Sequence, residues 1–248
     1  MIIGIDGNEA NVEKKVGVSN YIFNLLDFFK KKSDKNNQFK IYLKNPPRKD
    51  LPKESAYFKY EIVSGNFFWS QIFLPIKLNQ KKDIDIFFSP AHYIPRFSPV
   101  PSIVTIHDLS YIYYPKDFLL KDLLQLKYWT EYSLKKSKKI IAVSKTTKKD
   151  IIKNYQIPEE KIDVIYNGFE KNIKYQSENW TKNIKNKKNI NPFILYVGTL
   201  QPRKNITTLI KAFEKFKQLY PEFKLIIAGK KGWLYKEIFN LVNNLGLE

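Results

Sequence analysis

Phe193-Ile-Leu-Tyr-Val-Gly-Thr-Leu-Gln-Pro-Arg-Lys-Asn-Ile-Thr-Thr-Leu-Ile-Lys-Ala-Phe213 is the stretch that decides the fold. Residues 193–197 are an unbroken apolar run and read as a buried strand. Gly198 ends it, and Pro202 keeps the following loop from turning helical too early. Asn205 stands where a helix N-cap belongs, after which Ile206, Leu209, Ile210 and Phe213 recur at helical spacing. Arg203 and Lys204 fall between the two elements, at the carboxyl end of the strand and just ahead of the helix. Unpaired backbone N–H groups and the positive end of the helix dipole favour an anion there. Two added cations point to a phosphate or diphosphate ligand. The alternative is a solvated Arg-Lys pair in an ordinary strand-to-helix loop.

The same alternation runs outward through the rest of the chain. Strands are expected at 2–6, 39–43, 58–63, 84–88, 102–106, 139–143 and 162–166. Helices are expected at 18–32, at 69–78 with Pro75 bending it or marking its start, at 116–136, and at 145–155 behind a Ser144 cap. One more strand–helix unit, 223–245, follows the opening stretch. Between 170 and 191 the chain is rich in Lys and Asn without any period, and reads as a linker. The expected organisation is therefore an α/β domain over 1–169, a linker, and the first two strand–helix units of a second domain over 192–248. In doubly wound sheets, ligands gather at the carboxyl ends of the strands. That places Asp6, the Gly17 loop, His92, His107, Asp108, Ser144, Asn167 and Gly168 on one such edge, with Arg203, Lys204, Gly229 and Lys230 on another.

Composition bounds the partners. The chain has 248 residues, 43% hydrophobic and 15% aromatic, which is ample for packed cores and argues against disorder. Its 43 Lys+Arg against 24 Asp+Glu give a formal charge of +19, a field that favours nucleic acid, anionic lipid or phosphorylated small molecules. The charge is spread along the chain as Lys-rich usage, so most of it is solvated surface. No Cys means no disulfide framework and no thiolate metal site. No acidic cluster has metal-ligand spacing, so no metal is expected. Asp6, Asn8, Glu9 and Asn11 interrupt what would be a signal peptide, and no apolar run is long enough to cross a bilayer. The expectation is a cytoplasmic chain. The segment 116–136 mixes Phe118, Leu119, Leu120, Leu123, Leu124 and Trp129 with lysines, which suits peripheral contact with an anionic membrane; core packing explains the same residues.

The motif Val-Gly-Thr-Leu-x-Pro-Arg-Lys-Asn, followed by Leu-Ile-x-Ala-Phe, resembles the donor-binding lobe of the family 4 retaining glycosyltransferases, in their mannosyltransferase-like branch. Gly4-Ile-Asp-Gly7, Thr105-Ile-His-Asp-Leu109, Ile141-Ala-Val-Ser144 and Val164-Ile-Tyr-Asn-Gly168 are similar to further family landmarks and stand in the family's order. The resemblance implies a GT-B fold: a complete N-terminal Rossmann-like lobe on the acceptor side, and the beginning of a second that binds a nucleotide sugar. It implies transfer of a hexose such as mannose from a nucleotide-diphosphate sugar to a glycan or lipid-linked acceptor, with retention and without a metal. His107 would line the donor-sugar site and hydrogen-bond a sugar hydroxyl. Gly17 matches the glycine of the first-lobe loop near the diphosphate, although Ser19-Asn20-Tyr21 replaces the family's usual second Gly and Arg. Gly198, Arg203, Lys204 and Gly229 would cradle the diphosphate, with Thr199 standing where many members carry Arg. These groups are expected to converge if the lobes face each other. The family's later glutamate pair would fall beyond Glu248, so activity of these residues alone is expected to be weak or absent.

Two other readings remain. A basic α/β nucleic-acid-binding module requires aromatics interleaved with cations on an exposed surface, whereas these aromatics fall mainly at core positions. No nucleic acid is therefore expected. A fragment without activity of its own is the third.

Overall fold

The computed structural model describes residues 1–169 and 191–248, so the expected linker lies almost wholly outside the described residues. The chain divides into two compact units, Met1–Gly168 and Phe169–Glu248.

The first unit is built on seven strands: β1 (Ile2–Asp6), β2 (Gln38–Leu43), β3 (Phe58–Ile62), β4 (Ile86–Ser89), β5 (Ser102–Ile106), β6 (Lys139–Ala142) and β7 (Ile162–Val164). They form one sheet in the order β3-β2-β1-β4-β5-β6-β7, with every neighbouring pair parallel. Parallel strands need crossovers, and helices supply most of them: α1 (Val18–Lys32) between β1 and β2, α2 (Phe73–Lys81) between β3 and β4, α3 (Ser110–Tyr113) and α4 (Leu120–Lys136) between β5 and β6, and α5 (Lys145–Tyr155) between β6 and β7, while β2 to β3 and β4 to β5 cross without a helix. The strand order runs outward from β1 in one direction and from β4 in the other. The crevice between their carboxyl ends is thus the topological switch point, where open α/β sheets hold ligands.

The two-residue period of the strands fixes which side chains meet which helix. Ile41, Leu43, Ile5 and Phe88 pack with Ile22 and Leu26 of α1. Tyr42 and Phe87, one residue out of phase, lie on the other face with Trp69, Leu74 and Leu78. Val104, Ile106 and Ile140 pack with Leu134 of α4 and Ile151 of α5. Each such fully buried aliphatic side chain stabilises the fold by about 1.5–3 kcal/mol.

Two expected helices of this unit need correction. The helix expected at 69–78 is a 3-10 turn, Trp69–Gln71, followed by α2; Pro75 sits in its first turn, where a missing N–H costs nothing. The helix expected from 116 begins at Leu120, because Pro115 instead sets a 3-10 turn over Pro115–Asp117. Its apolar residues divide: Phe118, Leu123 and Leu126 pack on the core, while Leu120 and Leu124 are 71% and 45% exposed. The short helix α3 was not expected from the sequence. It follows from Asp108, whose carboxylate accepts from both the Ser110 N–H and its hydroxyl.

The second unit has β8 (Phe193–Val197) paired in parallel with β9 (Lys224–Ala228), plus α6 (Ile206–Leu219) and α7 (Lys236–Asn244). Leu200, Ile206, Ile210 and Ile238 form its core, with Tyr196, Leu225 and Ile227 packed against them. The apolar run 193–197 is not buried as expected. The helices cover one face of a two-stranded sheet, and among the described residues the other face stays open, leaving Leu195 55% and Val197 73% exposed. Asn205 is also not the expected cap. It precedes α6 in the left-handed conformation, and its Oδ1 accepts from the Thr208 hydroxyl rather than from a backbone N–H.

Candidate active site

His107 directly follows β5, at the carboxyl edge of the sheet. Its Nε2 lies 2.8 Å from the Pro90 carbonyl, a group that can only accept, so Nε2 carries the proton and Nδ1 is an acceptor. Burial lowers its pKa, against the opposing pull of the Pro90 carbonyl and of Asp108, so the ring is neutral near pH 7. Tyr21 of α1 meets the ring edge-on at 5.0 Å between centroids, and the Tyr21 hydroxyl lies 3.4 Å from Thr105 Oγ1. The Asp108 carboxylate accepts from the Ser110 N–H and hydroxyl. The result is a neutral imidazole of fixed tautomer and fixed orientation, able to accept a hydroxyl hydrogen bond.

His92 lies beside it, with ring centroids 5.4 Å apart. It adopts a left-handed backbone conformation (φ 55°), and its N–H donates to the Thr105 carbonyl, which ties the loop after β4 to β5. Its Nδ1 is buried without a hydrogen-bond partner. Burial and the neighbouring His107 push its pKa down to about 4, so it too is neutral. Asp6, at the end of β1, accepts from the Asn8 N–H at 3.1 Å. Burial pushes its carboxyl up to about 7, against that hydrogen bond, and the charge of Glu9 adds to the rise. Asp6, Asn8, Glu9, Trp69, His92 and Tyr93 line a cavity of about 310 Å³ at the switch point between β1 and β4. Sequence placed Asp6 and His92 on this edge. Glu9 and Trp69 were missed: each lies in a 3-10 turn, Asn8–Ala10 and Trp69–Gln71, too short to carry a periodic signal.

Gly17 caps the start of α1 at φ 40° and ψ −110°, a region closed to side-chain-bearing residues, and a Cβ there would meet no neighbour. Its conformation therefore explains the glycine; crowding does not. Ser144 acts as expected, its Oγ accepting from the Thr147 N–H at 3.0 Å to cap α5.

In the second unit, Pro202–Lys204 form a 3-10 turn ahead of α6, with Arg203 half-buried and Lys204 exposed. Because the Asn205 side chain accepts from no backbone N–H of α6, it leaves the first-turn N–H groups of that helix to another acceptor. Gly198 follows β8, its N–H donating to the Ala228 carbonyl at 2.9 Å. A Cβ on Gly229 would run into the Gly198 carbonyl, so close packing of two loop backbones accounts for glycine at 229. Among the described residues no group of three or more His, Asp or Glu is placed to hold a metal ion. No helix among them is long and apolar enough to cross a membrane.

The chain can now be set beside known proteins. Residues 17–172 match Glycosyltransferase Family 4, and residues 177–248 match Glycosyl transferases group 1. The O-antigen chain mannosyltransferase RfbU of Salmonella typhimurium is 33% identical over 66% of the chain and 41% of its own length. O-antigen chain mannosyltransferase B of Escherichia coli is 28% identical over 63% of the chain and 42% of its own length. The match thus spans about two-fifths of the length of these two relatives. A crystal structure of HepE from Anabaena, in complex with UDP and glucose, superposes with a TM-score of 0.67 at 18% identity, over 100% of this chain and 67% of that one. That likeness establishes the GT-B fold expected from the sequence. With a family match over more than half its residues, the chain belongs to Glycosyltransferase Family 4.

Proposed function

We propose that the chain serves a retaining, metal-independent hexosyltransferase, with mannose the first sugar to test, acting on a glycan or lipid-linked acceptor. The observation that carries this reading is His107, a neutral ring pinned through Nε2 to Pro90 with Nδ1 left as an acceptor. In this role Nδ1 accepts a donor-sugar hydroxyl and holds the anomeric carbon in register. The bond from that carbon to the diphosphate oxygen breaks as the acceptor oxygen bonds on the same face. The acceptor's proton passes to the departing phosphate oxygen, and no side-chain nucleophile is needed. Arg203, Lys204 and the first-turn N–H groups of α6 would stabilise the charge that develops on the diphosphate, with Gly198 and Gly229 shaping the loops beside it and Gly17 opening the loop before α1.

The mannosyltransferase relatives support the sugar, and HepE bound to UDP and glucose supports a nucleotide-diphosphate donor. The exposed Leu120 and Leu124 on a chain of +19 charge favour work at the inner face of an anionic membrane. The test is transfer of labelled sugar from GDP-mannose and UDP-glucose to lipid-linked oligosaccharide, with the product's anomeric configuration read by NMR. Retained configuration is the expected result. Inverted product, or hydrolysis without transfer, would overturn the proposal.

A further inference from the structure

A second cavity opens on the opposite edge of the same sheet. Ser102 starts β5 and Lys138 directly precedes β6, so both mark the amino edge, whereas His107 follows β5 at the carboxyl edge. The cavity holds about 600 Å³, an ordinary volume for a small-molecule site. Lys136, Lys138 and Tyr132 supply polar groups to its lining, and Ile94, Phe97 and Val100 supply apolar ones. The run 135–139 divides its cations. Lys135 and Lys139 pair with Glu131 and Asp163, while Lys136 and Lys138 go to the cavity.

The surrounding structure holds Phe97 in this lining. Its backbone is left-handed (φ 54°), a strained conformation for a bulky residue, and its side chain is 80% exposed. Two helices fix it there. Its N–H donates to the Tyr132 hydroxyl of α4 at 3.1 Å, and its carbonyl accepts from Asn79 Nδ2 of α2 at 3.0 Å. Accepting that bond leaves the Tyr132 hydroxyl its own hydrogen to donate. The Arg96 guanidinium lies over the Tyr132 ring, 5.1 Å from the centroid, and adds a third positive charge beside the cavity. A strained aromatic, fixed from two sides beside several cations, is the arrangement of a ligand clamp.

We propose that this cavity binds a phosphate group carried on an apolar body. The Lys136 and Lys138 ammonium groups and the Tyr132 hydroxyl donate to the phosphate oxygens, and the body lies against Phe97. The site does not depend on the transferase reading, because it lies on the other edge of the sheet. Such a phosphate comes either from an anionic lipid headgroup or from a soluble ester. Asn79 stands one turn beyond Ile76, itself 52% exposed, so apolar surface continues from Phe97 onto α2 and favours the headgroup.

The test is calorimetric titration of the 248-residue chain with phenyl phosphate and with inorganic phosphate. Beside it runs sedimentation with vesicles of phosphatidylglycerol and phosphatidylcholine in equal parts. Phenyl phosphate should bind with a Kd of about 1 mM, and Lys136→Ala/Lys138→Ala should weaken it by about tenfold or more, as expected for charge-assisted hydrogen bonds. Phe97→Ala should weaken phenyl phosphate about fivefold and leave inorganic phosphate unchanged. The control Lys53→Ala/Lys59→Ala removes the same charge beside β3, at the far end of the sheet, and should change neither. Equal losses in the two lysine pairs would reduce the effect to the chain's overall charge and overturn the site. So would no binding of phenyl phosphate, or binding that responds to neither cavity variant. With phenyl phosphate binding lost in Lys136→Ala/Lys138→Ala, vesicle binding that falls with it assigns the site to a lipid headgroup. Vesicle binding that is absent or unchanged assigns it to a soluble ester.

Discussion

Asp6→Asn should make the protein more stable at alkaline pH, and the gain should vanish in acid. In the folded chain, burial holds the Asp6 carboxyl at about 7, against 3.8 as its ordinary value. Between those two pH values the folded state keeps a proton that the unfolded state has lost, so stability falls as pH rises through the window. Above pH 7 the whole cost is present. A shift of about three units at ~1.36 kcal/mol each sets a ceiling of about 4 kcal/mol. Asp6 is only partly buried, so water in the cavity screens the charge, and about 2 kcal/mol is the expected cost. Asn keeps an oxygen for the Asn8 N–H and carries no charge. Urea unfolding followed by circular dichroism at pH 4 and pH 8 gives both differences from the midpoints. The variant should match the parent at pH 4 and exceed it by about 2 kcal/mol at pH 8. A variant no more stable at pH 8, or a difference independent of pH, would refute the reasoning.

Gly229→Ala should destabilise the second unit by about 3 kcal/mol, because its Cβ meets the Gly198 backbone; unchanged protease resistance of that unit would show that the loops can part. Gly17→Ala should cost about 1–3 kcal/mol through strain at φ 40° alone, and a melting temperature equal to the parent's would contradict this. In a complete version of the protein, Arg203→Ala and Lys204→Ala should each cut sugar transfer about 100-fold or more with folding intact, whereas full turnover in both variants would make the pair ordinary surface.

Periodicity made the sheet readable in advance. Ile2–Asp6 and Phe193–Val197 are strands with the expected bounds, and α1 spans the expected residues, because apolar spacing reports directly on which side chains face a core. Burial of β8 was not readable in the same way. An apolar strand looks the same whether or not a second layer of helices covers it. Local competition hid other features: Thr208 draws away the Asn205 side chain, and Asp108 accepts from Ser110 to start a short helix. The carbonyl that holds the His107 ring, Pro90, is 17 residues away in sequence, and no local pattern signals such a contact. The cavity was legible only in part. Asp6 and His92 follow from the rule that ligands gather at strand ends, but the approach of Trp69 depends on how the chain packs after β3.

The most direct test of the account is kcat/KM for sugar transfer by His107→Ala in a complete version of the protein, beside its melting temperature. Loss of a hydroxyl-holding acceptor should lower kcat/KM by about 100- to 1000-fold while the melting temperature moves by no more than a few degrees. A variant that transfers sugar at the parent's rate but melts far earlier would make His107 a structural residue and contradict the account.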